Sequence, residues 1–571
     1  MIKEVLNKKK IEGKYIVYIL GLYFIAVIIY LVFANFFSIP VHMRVDEELY
    51  ISMAKSFHYN GNFSKEGVIL DYTCVLYSVL LSFAYYFYDP ERIMYIFRSI
   101  GVCVMLSSVF PTFFLGYKVL QNGKKALYVS AFLCILPSMM DVVFCMQEVL
   151  SYPLFLWLLY FIYEEVRKDK IGNTTLNTFL IVLFSVLCYF TKTYMIFIPL
   201  VYCMLLLVYG IKNRTIALWK KIFIFLITYL SMIFMGNKII FFINDGIVGS
   251  NHYSSQFSNL FPITWNTILS FLTCSILYIA GVAFCWGILP IFLPIANWKK
   301  HSTKDKYFLF FILISFSVLV IEIILSIVLT EEGNVLFPHK ILYRYFQILE
   351  VPIIILFVKY FDKYIIKKVI WSVYFFVFTT LIIYYTYIGK NQRTAIIDAP
   401  LLLLMENINR YIIPYFNLLV CFVSVLFIIL IYLLKKKKII NDVLKSFTGT
   451  VVVFCVLFFL VNLIQLPLYT NVIANGKMIE EDAVKLASFL RDYHDKKYKI
   501  YFLDSSDLFY ERSVSAYLDR EVIFITKDNL GLIEKEDMIL ICDDDSPIMV
   551  DNYEEIDIGT DSINIYVNRE G

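Results

Sequence analysis

The chain has 571 residues, of which 60% are hydrophobic and only 17% charged, against about 45–50% apolar and about 25% charged in soluble globular proteins. The net charge of +4 hides a split: from Asn471 onward 11 Lys and Arg face 23 Asp and Glu, and the rest carries 40 against 24. These figures exclude a wholly soluble protein and leave an integral membrane protein with an acidic C-terminal part; no nucleic-acid partner is expected.

The first element follows MIKEVLNKKKIEGK and runs through 23 mainly apolar residues, 15–37. A secretory h-region is about 7–15 residues long and ends at small residues. This stretch is longer and ends in bulky side chains, so it reads as an uncleaved first span. Next comes VHMRVDEELYISMAKSFHYNGNF, residues 41–63, with Asp46, Glu47 and Glu48 at its head. Leu49, Met53 and Phe57 recur at i, i+4 and i+8, which predicts an amphipathic helix lying in the headgroup region.

Further apolar runs predict spans near 92–120, 126–144, 148–163, 175–191, 193–210, 221–243, 267–296, 307–329, 345–358, 369–388, 411–434 and 450–468. With the first, that makes about 13 at the usual ~20 residues each. The run YTCVLYSVLLSFAYYFY, 72–88, is ambiguous by length, and positive charge decides it. If it does not cross, the N-terminus, QNGKK, EEVRKDK, IKNRTIALWKK, NWKKHSTKDK, KYFDKYIIKK and KKKKIINDVLK share one side and hold 27 Lys and Arg. If it crosses, the excess falls on the wrong face. The stretch 38–91 is therefore expected wholly outside, carrying two interfacial segments, with the N-terminus cytoplasmic and the C-terminus extracytoplasmic.

After position 470 the pattern changes to EEDAVKLASFLRDY, with helical periodicity, and to short strand-like runs at 498–504, 521–526, 537–543 and 563–568. A small α/β domain is expected over 471–571, beside a membrane domain over 1–470. The acidic run CDDD, 542–545, reads as a solvated loop in preference to a cation site. Eleven cysteines are scattered with no C-x-x-C pair, so neither a disulfide framework nor a zinc ribbon is indicated.

Ionisable groups at membrane depth are costly and mark function. On the predicted outer face these are Asp46, Glu47 and Glu48, then Glu148 at a span start, Lys192 in the short hairpin FTKTY, and His339, Lys340, Arg344 and Tyr345 in FPHKILYRYFQILEVP. Arg98 lies six residues into its span. Each has a plainer reading: Lys192 and Arg344 as snorkelling cations, Glu148 and the acidic trio as helix N-terminal charges. Together they suit group transfer from a lipid phosphate, where a carboxylate accepts a hydroxyl proton and cations neutralise the leaving phosphate.

The ordered set resembles the GT-C superfamily of membrane glycosyltransferases, which includes protein mannosyltransferases and aminoarabinose transferases and uses polyprenyl-phosphate sugars. VDEELYISMAKSF resembles that family's D-E-x-x-Y-x-x-x-A stretch in the first outer loop, and MYIFRSIGVCVMLSSVFPTFFLGYKVL its Arg-bearing second span. LPSMMDVVFCMQEVLSYPLFLWLLY is similar to its second outer loop, and YRYFQILEVP to its late Arg-Tyr stretch before a Pro. The resemblance covers about residues 15–360 and implies a fold: an all-α polytopic membrane domain with outer-face amphipathic helices, plus the small extracytoplasmic α/β domain. It implies Asp46 as catalytic base with Glu47 assisting, and Glu148 positioning the acceptor or a bound cation. Arg344 and Tyr345, with Lys192, Arg98, Lys340 and His339, would hold the donor phosphate. Lys192 departs from members that carry Arg there. No W-W-D-like stretch occurs, which disfavours oligosaccharide transfer to asparagine.

The implied partners are a polyprenyl-phosphate-linked sugar donor, membrane lipids and a cell-surface acceptor that is a glycan, teichoic acid, lipid or protein. A divalent cation is allowed but not implied, since the carboxylates show no ligand spacing. The competing readings are a transporter or lipid-linked-sugar flippase, against which the halves show no repeat, and an inactive lipid-sugar-binding scaffold. Richness in Ile, Lys, Phe, Tyr and Asn points to a bacterial cell membrane.

Overall fold

The computed structural model describes residues 12–36, 45–65, 68–87, 90–167, 175–213, 217–246, 264–286, 289–330 and 342–360, together with a helix at 481–490 and five strands between 499 and 568. The spans expected at 369–388, 411–434 and 450–468 lie outside these residues. Among the described residues, seven helices are long and apolar enough to cross a membrane.

The first span is α1 (Gly13–Phe36), whose outward residues such as Val17, Ile25, Ile28 and Val32 are exposed apolar side chains, as lipid contact requires. The acidic trio opens α2 (Val45–Asn60), which leads into a two-stranded hairpin, β1 (Ser64–Lys65) and β2 (Val68–Ile69). Gly61 makes the turn between helix and hairpin at φ +71°, a region glycine enters without steric cost. The run at 72–88 folds as α3 (Leu76–Ser82) and a 3-10 turn, Phe83–Phe87. Twelve residues so arranged rise at most about 24 Å even at the 3-10 rise of about 2 Å per residue, less than the ~30 Å hydrocarbon core. Helix α2 is more enclosed than a headgroup helix: Tyr50, Ile51, Met53 and Ala54 are buried, because it packs on α3 and the hairpin.

The stretch 92–120 forms α4 (Pro90–Leu106) and α5 (Val109–Leu120), joined at Ser107 and Ser108. Asn122 then caps α6 (Gly123–Leu133), accepting a bond from the Lys125 amide at 3.0 Å. The span expected at 126–144 is not continuous. Helix α6 stops after 11 residues, and Pro137 begins a 3-10 segment, Pro137–Val143, because proline brings no N–H to the helical ladder. Helices α7 (Glu148–Arg167), α8 (Thr175–Thr191), α9 (Phe197–Asn213) and α10 (Ala217–Ile243) match the expected runs. The run at 267–296 divides into α11 (Trp265–Cys285) and α12 (Leu289–Ala296), followed by α13 (Thr303–Thr330). The last described helix of this part, α14 (Glu350–Tyr360), has 11 residues and is entered through two 3-10 turns, Tyr343–Tyr345 and Gln347–Leu349.

The C-terminal strands are β3 (Lys499–Leu503), β4 (Val522–Ile525), β5 (Met538–Asp543), β6 (Tyr553–Ile556) and β7 (Ile563–Asn568). They form one mixed sheet in the order β4-β3-β5-β7-β6, parallel across β4, β3 and β5 and antiparallel at β7 and β6. Four of the strands sit where the alternating runs predict them. The fifth, β6 in YEEI, has too few apolar residues to signal itself.

Candidate functional site

Successive residues of a helix point about 100° apart, so the three acids that open α2 fan out to three different partners. Asp46 accepts a bond from Arg344 Nη2 at 3.2 Å. Glu47 turns inward, where its Oε1 accepts from the Cys145 amide at 2.7 Å. Glu48 pairs with Lys65 of the hairpin at 2.8 Å. The trio thus reaches Arg344, the loop at Cys145 and the hairpin.

Glu148 is the first residue of α7, where the helix N-terminus favours a carboxylate. Its Oε1 is shared by two cations, Lys192 Nζ at 2.9 Å and Arg344 Nε at 3.3 Å. The side chain of Glu148 is 1% exposed, that of Arg344 11%, and that of Asp46 42%. A gradient results: a buried acid at the floor, two cations above it, and an acid at the rim open to solvent. Burial is the largest influence on Lys192 and works against its charge, but Glu148, Tyr345 and Asp46 together outweigh it and raise the ammonium above its ordinary value. Both cations therefore stay charged, and two carboxylates offset them.

Aromatic rings enclose this chain of charges. Lys192 lies 5.9 Å from the Tyr50 ring centroid and 5.5 Å from that of Tyr345, and Arg344 lies 5.2 Å from Tyr345. Tyr194 meets Tyr345 edge to face at 4.7 Å. Rings at such distances attract cations and exclude water. Sequence reading missed Tyr50 and Tyr194; the signal available was Tyr50 four residues after Asp46, one helical turn along.

The loop from Pro137 to Gln147 ties the site together. Asp141 accepts from Gln347 Nε2 at 2.7 Å, the Cys145 amide holds Glu47, and Gln147 Nε2 donates to the Cys74 carbonyl at 2.6 Å. Gly101 of α4 allows this loop to approach, since a Cβ there would lie 3.2 Å from the Val142 carbonyl oxygen. On the far side, buried Asn244 accepts from the Phe63 amide at 3.0 Å and donates to the Leu70 carbonyl at 3.1 Å, fixing the hairpin.

Of the residues singled out from sequence, the structure brings together Asp46, Glu148, Lys192, Arg344 and Tyr345. Glu47 and Arg98 both have charges that reach Cys145, in the loop just before Glu148. His339 and Lys340 lie outside the described residues. Among the described residues no group of three His, Cys, Asp or Glu side chains is arranged to hold a metal ion.

No protein-family model matches the chain, and no curated protein matches its sequence. Solved structures share its architecture, and two of them are states of one protein. The crystal structure of ArnT from Cupriavidus metallidurans bound to undecaprenyl phosphate is 10% identical, covers 97% of each chain and superposes with a TM-score of 0.55. The apo state of that ArnT is also 10% identical, covers 98% of each chain and has a TM-score of 0.52. The chain is thus a multi-pass membrane protein with the GT-C-like fold of these neighbours.

Proposed function

We propose that the chain is an inverting glycosyltransferase that moves a sugar from a polyprenyl-phosphate donor to an acceptor hydroxyl at the outer face of the membrane. One observation carries the reading: the rim carboxylate Asp46 and the floor carboxylate Glu148 hold the same guanidinium, Arg344, with the Lys192 ammonium on the same Glu148 oxygen. A proton acceptor thus stands within bonding reach of the group that would hold the leaving phosphate. The ArnT crystal structure, which holds bound undecaprenyl phosphate, supplies a precedent for such a lipid in this fold.

The chemistry is one displacement. The acceptor oxygen bonds to the anomeric carbon from the side opposite the phosphate, while Asp46 takes the hydroxyl proton. The bond from the anomeric carbon to the phosphate oxygen breaks, and its electron pair leaves with the lipid phosphate. Arg344 and Lys192 offset that charge in a site where burial strengthens it. A donor phosphate draws Arg344 Nη2 away from Asp46, so donor binding readies the base for the acceptor. Glu148 keeps both cations in place and takes no proton. The distribution of Lys and Arg among the loops supports an extracytoplasmic site, with the sheet domain of 471–571 on that side.

Replacing Asp46 with Asn tests the reading. Transfer should fall by about 10²–10⁴-fold, the range of general-base contributions, with membrane insertion intact and the lipid-linked donor accumulating in the cells. Transfer at the parent rate would remove the base.

A further inference from the structure

Arg344 sits on a weak scaffold. It lies in the 3-10 turn Tyr343–Tyr345, followed by a second such turn, Gln347–Leu349, before α14 begins. Hydrogen-bond geometry in 3-10 turns is poor, and runs beyond three or four residues are uncommon. Six residues of this kind, three on each side of Phe346, need their shape imposed from outside. Two buried polar contacts impose it: the Tyr343 hydroxyl donates to Glu350 at 3.1 Å, and Gln347 Nε2 donates to Asp141 Oδ2 at 2.7 Å. Asp141 and Glu148 belong to one continuous segment, and Glu148 holds Arg344 itself. The segment from 141 to 148 therefore grips the Arg344 turn at two points, 141 on 347 and 148 on 344.

From this geometry we infer that Gln347, clamped by Asp141, is a positioning residue that sets where the Arg344 guanidinium stands. Gln347 bonds to Asp141 and, among the described residues, to no group assigned to the reaction. Its amide, 2% exposed, fixes the rotation of the turn, and the turn aims Arg344 between Asp46 and Glu148. The inference rests on the donor-phosphate reading of Arg344 in one respect, that the consequence of misplacing it is read on the donor.

Exchanging the roles of donor and acceptor tests the clamp. Gln347→Glu sets two carboxylates against each other, and the double variant Gln347→Glu with Asp141→Asn restores an amide-to-carboxylate bond with its direction reversed. We expect Gln347→Glu to raise the donor KM and lower kcat/KM by about 10²-fold, the usual cost of a displacement of about 1 Å at a reacting group. The double variant should recover to within about threefold, since contacting pairs are strongly non-additive. If Gln347→Glu fails to insert, Gln347→Met is read instead; it keeps the length, removes the donor and should weaken donor use about tenfold. Binding of undecaprenyl phosphate to the purified protein is measured in parallel. Binding lost in Arg344→Gln but unchanged in Gln347→Glu overturns the clamp and leaves the donor reading standing. A double variant as impaired as Gln347→Glu also overturns the clamp. A parent protein that neither binds the lipid phosphate nor transfers sugar removes the donor reading and the clamp with it.

Discussion

The two ends of α7 each carry a buried carboxylate network, and they are built to opposite purposes. At one end Glu148 holds Lys192 and Arg344, and Arg344 passes the contact on to Asp46, which stands open to solvent. At the other end, fully buried Asp305 accepts from Tyr163 of α7 at 3.2 Å, from Ser302 at 2.5 Å and from Lys359 at 2.6 Å, and is also bonded to Tyr360. Beside it Glu165 pairs with Lys221 and accepts from Asn177 at 2.8 Å. Buried charge alone does not mark a site; many such groups are satisfied internally and serve packing. What separates the two ends is saturation. The Asp305 network closes on itself and ties α7, α13 and α14 together, whereas the Glu148 network ends in a carboxylate with lone pairs facing out.

That contrast predicts different losses. The largest is in stability at the closed end. Asp305→Asn leaves Lys359 without its counter-charge, and breaking a buried pair costs about 3–5 kcal/mol. Thermal unfolding of the purified protein should shift down sharply, while transfer per folded molecule stays near the parent value; a selective loss of transfer would erase the distinction between the ends. At the open end, Glu148→Gln should do the reverse, lowering donor kcat/KM by about 10²-fold through two cations that no longer share an acceptor, with a smaller change in unfolding temperature.

The smallest effect is one of pH at the closed end. His301 stacks on Tyr360 with ring centroids 4.3 Å apart, and burial pushes its imidazole from 6.5 down to about 4. The folded chain therefore holds this ring neutral where the unfolded chain would protonate it, so stability falls as pH drops from about 6.5 to about 4 and is flat above. Unfolding temperatures measured across that window should fall with pH, and His301→Gln should flatten the slope. A slope unchanged in that variant would place its origin in another group.

Much of the architecture was legible because hydropathy alone finds a helix that must face lipid: 15–37, 148–163, 193–210 and 307–329 all coincide with helices. The short run at 72–88 was placed by loop charge, and it folds as a helix too short to span. The stretch at 126–144 misled because an apolar average hides where a ladder ends; Pro137 and Asp141 within it were the signs of a break. Within the site, Asp46, Glu148, Lys192 and Arg344 announced themselves as charges beside apolar runs. Asp141 and Gln347, 206 residues apart, did not, because a pairing between distant positions leaves no periodicity to read. Glu47 and Asp46 are neighbours of like chemistry, and only the 100° step of the helix assigns them to different tasks.

Helix α7 also sets a level. Glu148 and Tyr163 are 15 residues apart on it, about 22 Å at 1.5 Å per residue, against a hydrocarbon thickness of about 30 Å. The Glu148 and Asp305 networks therefore stand apart along one helix by less than the thickness of a bilayer core. On the donor reading proposed above, a lipid phosphate held at Arg344 would keep its tail among the acyl chains, and the acceptor would be the substrate that travels, bringing one hydroxyl past Asp46.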